Sequence, residues 1–144
     1  MVAKGEMAPE FTGTIDDGSK LSLASLRGSR VFLYFYPEAD TPGCTIESKG
    51  LNDRLETLTG KGIKVVGVST DSVDKQCAFR DKYGFRFPLV ADQDKAVAKL
   101  YGVLGPGGRA RRVSFVVDAT GRVSEVIEGK ADLHLAAADR LVAG

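Results

Sequence analysis

Runs of hydrophobic residues along this chain alternate with segments in which hydrophobic positions recur at helical spacing. Residues 31–36 form an unbroken hydrophobic run, mostly aromatic, which is typical of a strand buried on both faces of a sheet. Residues 64–69 predict the next strand. The segment between them predicts a helix that begins at Pro42, with Thr41 as its N-cap, and ends near Gly60. The hydrophobic positions of this helix are Ile46, Leu51, Leu55 and Leu58.

The second half of the chain carries shorter elements of both kinds. Its predicted segments are, in order, a helix over 72–83, an extended piece over 87–90, a helix over 95–101, a loop over 102–108, a β-hairpin over 113–117 and 123–127, and a helix over 132–142. Strands joined through helices run parallel and a hairpin adds antiparallel strands, so we expect a mixed sheet. The order predicts an α/β protein with a central mixed β-sheet flanked by helices. A thioredoxin-like fold is compatible with it, as are other three-layer α/β folds.

The composition narrows the functional classes. The chain has 144 residues, which suits one domain spanning residues 1–144, and its net charge of +1 gives no reason to expect nucleic acid or a membrane surface as a partner. The first residues do not resemble a signal peptide and no hydrophobic run could span a bilayer, so we expect a cytoplasmic protein. The single histidine, His134, is interpreted as a surface or capping residue, and no metal is expected.

Cys44 falls in the first turn of the helix predicted after the first buried strand. Unpaired backbone N–H groups and the helix dipole favour a thiolate over a thiol there. The alternative is that Cys44 is a small buried hydrophobic residue. Its neighbours favour a reactive thiol: the Thr41 hydroxyl can reach the cysteine backbone and sulfur, Pro37 ends the strand and shields the site, and Gly43 lets a substrate approach closely.

The segment around Cys44 resembles a known family. Residues 37–44 read Pro-Glu-Ala-Asp-Thr-Pro-Gly-Cys, which fits the P-x-x-x-T-x-x-C motif of the peroxiredoxins. With its flanks, the segment is similar to the bacterioferritin comigratory protein subfamily, also called peroxiredoxin Q. The matching stretches run through the chain, at residues 5–11, 34–47, 68–72, 87–92 and 112–118. The resemblance implies a thioredoxin-like fold and a thiol peroxidase that needs no cofactor, because sulfur carries the two-electron chemistry.

The resemblance also implies roles for residues around the cysteine. Cys44 matches the cysteine that attacks the peroxide and becomes a sulfenic acid, and Thr41 matches the residue that orients the peroxide. Arg112 matches the arginine that holds the thiolate and polarises the peroxide, and strand alternation sends its neighbour Arg111 to the opposite face. Glu47 matches a glutamate that orients this arginine, although an acid favoured by the helix N-terminus is an equally good interpretation.

The sequence departs from the subfamily at its second cysteine. Many members carry it five residues after the first, where this chain has Lys49. The only other thiol is Cys77, on the next predicted helix and about 200° around it from Phe79, which indicates an accessible side chain. Some members place a resolving cysteine on this helix, so the resemblance implies an intramolecular Cys44–Cys77 disulfide, formed after part of a helix unwinds. The alternative is that Cys77 takes no part and a free thiol from solution resolves Cys44.

The sequence therefore predicts an enzyme that reduces hydrogen peroxide and organic hydroperoxides and is recycled by thioredoxin or a similar dithiol reductant. The reductant and a monomeric state are implied by the resemblance alone. A thioredoxin-type disulfide reductase is disfavoured because the chain has no Cys-x-x-Cys pair. A peroxide sensor, in which oxidised Cys44 signals without turnover, shares the same first step and stays open as an alternative.

Overall fold

The computed structural model describes residues 1–144 and contains seven strands in two sheets. The strands are β1 (Thr12–Thr14), β2 (Lys20–Ser22), β3 (Arg30–Phe35), β4 (Ile63–Ser69), β5 (Leu89–Ala91), β6 (Val113–Val117) and β7 (Val123–Glu128). Five of them form the central sheet, in the order β5-β4-β3-β6-β7. The β3, β4 and β5 strands are parallel, and β6 is antiparallel to both β3 and β7. The sheet is therefore mixed, as the sequence predicts.

The helices connect these strands much as the sequence pattern predicts. They are α1 (Pro42–Asp53), α2 (Leu55–Gly60), α3 (Val73–Tyr83), α4 (Ala96–Tyr101) and α5 (Ala131–Ala143). The α3 helix has a cap at each end: the Ser72 hydroxyl accepts the N–H of Lys75, and Gly84 takes a left-handed conformation with φ 69°. None of the five helices combines the length and the hydrophobicity needed to cross a membrane.

The side chains of β3 alternate between two hydrophobic cores. Phe32 and Tyr34 point to one face, where they pack with residues of α1, α2, α3 and α5. Leu33 and Phe35 point to the other face, where α4 and the N-terminal segment cover them. Both faces of β3 are therefore covered, which explains why its sequence is an unbroken hydrophobic run. The α1 helix, which carries Cys44, lies on the Phe32 face.

The single helix predicted over residues 42–60 is in fact two helices, because the chain breaks at Arg54. The Arg54 guanidinium bonds the Gly50 carbonyl at 2.9 Å and the Asp139 carboxylate of α5 at 2.7 Å, which holds the break in place. The assignment of Ile46 to the hydrophobic face is also wrong. Ile46 is 60% exposed, whereas Glu47 is fully buried, because the first turns of α1 face a polar site rather than the core.

The hydrophobic pattern does not predict the hairpin of β1 and β2. Each of these strands has three residues and none of them is fully buried, so they contain no hydrophobic run. Asp16, in the turn of the hairpin, is buried and accepts the N–H of Leu89 and the guanidinium of Arg80, each at 2.8 Å. This carboxylate ties the hairpin to the β5 edge of the sheet.

The α5 helix approaches α1 closely at one glycine. A Cβ added to Gly50 would lie 2.6 Å from the Leu135 side chain, closer than real side chains come. The packing of α5 on α1 therefore depends on the absence of a side chain at this position.

Replacing Gly50 with alanine should lower the free energy of unfolding by about 1–3 kcal/mol, because the added methyl group overpacks the contact with Leu135. Gly60→Ala is the matched control, since an added Cβ there meets nothing within 4 Å. It should leave stability unchanged or raise it by about 0.5–1 kcal/mol. Urea unfolding at equilibrium measures both variants, and equal midpoints would contradict the packing argument.

Candidate active site

Three elements meet where the central strands of the sheet end: the end of β3, the start of α1 and the start of β6. In the antiparallel pairing of β3 with β6, Phe35 lies opposite Val113. Arg112, which directly precedes Val113, therefore lies beside the point where the chain leaves β3. The loop over residues 37–41 then leads into α1, whose first turn contains Cys44. The fold brings together residues that are far apart in the sequence.

Cys44 has a guanidinium as its charged neighbour. Its side chain is fully buried, and Arg112 Nη2 lies 3.2 Å from its Sγ atom. The guanidinium supplies a charged donor at the sulfur, and the N–H groups of Gly43 and Cys44 in the first turn of α1 have no partner within the helix. Such an arrangement can hold a sulfur atom in a fixed position for nucleophilic attack.

Glu47 contacts the other side of the same guanidinium. Arg112 Nη1 donates to Glu47 Oε1 at 2.7 Å, and Glu47 is fully buried. Burial acts to lower the pKa of Arg112, but Glu47 and Cys44 beside it produce a net rise, so the guanidinium stays cationic. Burial raises the pKa of Glu47 to about 7, against the opposing effect of Arg112. One rigid cation is thus shared between a carboxyl group and the sulfur.

Gly43 leaves room for this arginine. A Cβ added to Gly43 would lie 3.0 Å from Arg112 Nη2, which is tighter than an ordinary contact. The sequence suggested that Gly43 allows close approach of a substrate. In the structure the missing side chain also allows the guanidinium to reach Cys44.

Thr41 makes a different hydrogen bond from the expected one. Its hydroxyl donates to the Glu38 carbonyl at 2.8 Å, and its side chain makes no capping bond to α1, so the expected reach to the Cys44 backbone is not realised. A hydroxyl that donates to a carbonyl keeps its lone pairs free to accept, so Thr41 Oγ1 can accept a hydrogen bond from a bound hydroxyl. Pro37 is half-buried at the end of β3, at the start of the same loop.

The loop before α1 is tied to α3 by polar contacts. Asp40 has a positive φ of 60°, and its carboxylate accepts from Lys82 Nζ and from the Tyr83 hydroxyl, each at 2.8 Å. The N–H of Ala39 donates to the buried carboxylate of Asp71 at 2.7 Å. These contacts fix the conformation of the loop from the side of α3.

Arg111 and Arg112 point in opposite directions, as strand alternation predicts. Arg111 pairs with Glu128 of β7 and donates to the Gly102 carbonyl at 3.0 Å. Arg112 alone of the two contacts the cysteine.

Cys77 lies on α3 in different surroundings. Its sulfur is 3.4 Å from Arg80 Nη2 and 3.8 Å from Asp81 Oδ2. Gln76 and Phe79 form the buried side of α3, whereas Cys77 is partly exposed, as the periodicity predicts. Both cysteines of the chain are free thiols. The structure therefore groups Cys44 with Arg112 and Glu47 and leaves Cys77 outside this cluster.

His134 is not a surface or capping residue, contrary to the expectation from the sequence. It is fully buried in α5, where Nδ1 lies 2.6 Å from Ser114 Oγ and 3.4 Å from Glu47 Oε2, and Nε2 lies 3.1 Å from the Gly129 carbonyl. Buried alanines three and four positions later show that His134 belongs to the inner face of α5, and this spacing is the signal that could have revealed it. Even with this histidine, no three His, Cys, Asp or Glu side chains form a group that could hold a metal ion.

Comparison with known proteins identifies the family. The model of the AhpC/TSA family matches residues 4–126. The chain is 37% identical over 131 residues to peroxiredoxin Bcp of Escherichia coli, covering 86% of this chain and 84% of that protein. Peroxidoxin BcpB of Mycobacterium tuberculosis superposes with a TM-score of 0.93 at 31% identity, over 99% of this chain and 97% of that one. Peroxiredoxin Q of Xanthomonas campestris does so with a TM-score of 0.80 at 31% identity, over 92% of this chain and 91% of that one.

The chain therefore belongs to the AhpC/TSA family, and within it to the peroxiredoxins related to Bcp and peroxiredoxin Q. The resemblance carried by residues 37–44 and their flanks is confirmed. The thioredoxin-like fold that it implied is confirmed as well, with the central mixed sheet between helices.

Replacing Arg112 with lysine should slow the reaction with hydrogen peroxide by about 10²-fold, because one ammonium group cannot reproduce two fixed contacts, to Glu47 and to Cys44. Arg111→Lys is the matched control and should stay within about twofold of the wild type, since it changes only exposed contacts, to Glu128 and to the Gly102 carbonyl, outside the cluster around Cys44. Quenched-flow mass spectrometry of Cys44 oxidation at pH 7 measures both rates. A similar loss in the two variants would show that the guanidinium geometry at Arg112 is not special.

The raised pKa of Glu47 should make stability depend on pH. The folded state holds the proton up to about pH 7 and the unfolded chain only to about pH 4.5, so rising pH destabilises the folded state across this interval. At about 1.4 kcal/mol per pH unit, the difference in unfolding free energy between wild type and Glu47→Gln should fall by about 3 kcal/mol from pH 4.5 to 7. Urea unfolding of both proteins across this range measures it. Parallel pH profiles would contradict a raised pKa.

Proposed function

We propose that this peroxiredoxin reduces hydrogen peroxide and organic hydroperoxides with Cys44 as the nucleophile. The thiolate attacks the distal peroxide oxygen and the O–O bond breaks. Cys44 becomes a sulfenic acid, and the other oxygen leaves as hydroxide or alkoxide and takes up a proton to give water or an alcohol. The observation that carries the proposal is the partly buried guanidinium of Arg112, which contacts both the sulfur and Glu47.

The groups around Cys44 suit the movement of charge in this step. Negative charge passes from the sulfur to the leaving oxygen, and catalysis requires donors that stabilise it at both places. Arg112 lies at the sulfur and stays cationic, and the backbone N–H groups of Gly43 and Cys44 lie in the unpaired first turn of α1. Thr41 Oγ1 accepts the peroxide O–H and so orients the peroxide for in-line attack.

Cys77 is the resolving cysteine in this proposal. Its thiol attacks the sulfenic sulfur of Cys44, so that a disulfide forms and water leaves. Its support is that Cys77 is the only other thiol, is partly exposed, and lies on the helix that contacts the loop before α1. A disulfide requires the two Cα atoms to come within about 7 Å, so part of α1 or α3 unwinds in this step.

A dithiol closes the cycle. Thioredoxin or a similar reductant attacks the Cys44–Cys77 disulfide, takes over the disulfide bond, and leaves both cysteines as thiols. The proposal extends to a single domain over residues 1–144 that acts as a monomer in the cytoplasm.

Intact-mass spectrometry after one equivalent of hydrogen peroxide, with alkylation under non-reducing conditions, tests the two cysteine roles. The wild type should lose two hydrogens and take up no alkylating group, because both thiols enter the disulfide. Cys77→Ser should instead gain one oxygen at Cys44. Cys44→Ser should gain no oxygen and take up one alkylating group at Cys77, since this thiol lies outside the Arg112 cluster.

The outcomes separate the two parts of the proposal. Normal multiple turnover of Cys77→Ser with thioredoxin would remove Cys77 as the resolving residue and leave Cys44 as a one-cysteine peroxidase. An unmodified Cys44 in the wild type would overturn the peroxidase itself. Rapid oxidation of Cys44 without any turnover in the presence of dithiols would instead favour a peroxide sensor.

A further inference from the structure

A second buried pair lies behind the guanidinium that contacts the cysteine. Glu47 gives Oε1 to Arg112, while its Oε2 is the only buried side-chain nitrogen or oxygen in the structure that lacks a hydrogen-bond partner. That atom faces His134 Nδ1 at 3.4 Å, and both side chains are fully buried. A buried carboxylate oxygen without a donor is costly, so this contact requires a physical explanation.

The hydrogen-bond partners of His134 limit where its protons can be. Nε2 faces the Gly129 carbonyl at 3.1 Å, and because a carbonyl only accepts, Nε2 carries a hydrogen. Nδ1 faces the Ser114 hydroxyl at 2.6 Å, which can donate or accept and therefore tolerates Nδ1 in either state. If neither Oε2 of Glu47 nor Nδ1 carried a proton, two acceptors would face each other away from water. One proton between them removes this conflict.

Burial favours a proton on Glu47, whereas the charge of Arg112 opposes it. The titratable groups close enough for their charges to act on the pair or on its neighbours are Cys44 on α1, Arg112 before β6, Tyr34 on β3 and Asp132 on α5. With Cys44 as a thiolate and Glu47 ionised, Arg112 alone would balance two negative charges. Burial raises the pKa of Glu47 to about 7 and lowers the pKa of His134 below its ordinary value, so burial favours a neutral carboxyl group beside a neutral imidazole.

We propose that His134 is a positioning residue, which holds one proton jointly with Glu47 while Cys44 is a thiolate, and so keeps Glu47 on Arg112 and Arg112 on the sulfur. The inference rests on the proposed function in one respect, that the Cys44 thiolate is the reacting group. If His134 were only a packed core residue, it would bond Ser114 and Gly129 and would respond neither to Glu47 nor to Cys44.

The single histidine makes the test direct, because a protein labelled with ¹⁵N-histidine gives one pair of ring nitrogen signals. We would follow Nδ1 by NMR from pH 5 to 9 in the reduced wild type, in Cys44→Ser and in Glu47→Gln. The wild type should show one titration. In Cys44→Ser the titration should move about one pH unit lower, because the thiolate that favours the shared proton is gone. In Glu47→Gln the titration should disappear, leaving Nδ1 as an acceptor only.

A second measurement keeps a functional readout in the test. The rate at which iodoacetamide labels Cys44 at pH 7, read by peptide mass spectrometry, should fall about tenfold in His134→Leu, as for one lost hydrogen bond to a charged group. His134→Gln should restore the rate to within about threefold of the wild type, since its amide can still donate to Glu47.

Identical Nδ1 titrations in the three proteins, or none in the wild type, would overturn the positioning role, and so would equal labelling rates for the glutamine and leucine variants. If His134→Leu does not fold, the NMR comparison still decides, because it leaves His134 in place. Neither readout uses peroxide. A wild type that fails to reduce hydroperoxides would therefore overturn the proposed function and leave the result for His134 readable.

Discussion

The structure of the site depends on one guanidinium. Arg112 precedes β6, and the register of β6 with β3 places it beside the loop that leads to Cys44. From there it contacts the sulfur at 3.2 Å and Glu47 at 2.7 Å. A planar guanidinium with two fixed contacts cannot rotate to follow a displaced partner. The start of α1 must therefore lie beside the position that the start of β6 gives to Arg112. The chemistry of Cys44 is thus determined by strand register as much as by the helix that carries it.

The contacts of Arg112 also constrain the structure around the site, because its partner Glu47 is fully buried. Glu47 lies against Arg112 on one side and against His134 on the other, and His134 is supplied by α5. The α5 helix comes close enough only because Gly50 leaves space for Leu135, just as Gly43 leaves space for the guanidinium. Two glycines on α1 therefore leave room around the same polar cluster: Gly43 on the side of Arg112 and Gly50 on the side of α5. Burial of polar groups without partners is expensive, and close helix packing is what brings the partners within reach.

The sequence predicted the mixed sheet, most helices and the motif around Cys44, because these depend on local pattern. Strand alternation in the residues that lead into β6 also separated Arg112 from Arg111. The sequence pattern did not reveal which positions of α1 and α5 are buried. Ile46 looked like a core position and His134 like a surface position, yet Ile46 is exposed and His134 is buried. The reason is physical. The first turns of α1 face a cluster of charged side chains, so hydrophobicity is a poor guide there, and whether His134 is buried depends on how α5 crosses α1.

The cluster around Cys44 and the loop that leads to it are held by contacts of different kinds, and this difference fits the two steps proposed for the thiols. Cys44 and Glu47 lie in a buried, bonded cluster, which suits a peroxide step that needs fixed geometry. Apart from the buried bond from the Ala39 N–H to Asp71, the loop between β3 and α1 is held by exposed polar contacts such as Asp40 with Lys82, which contribute only about 0–1 kcal/mol each. Opening the loop therefore costs far less than opening the core beneath it. A disulfide with Cys77 needs local movement of this kind, so the same fold can be rigid for oxidation of the sulfur and mobile for its resolution.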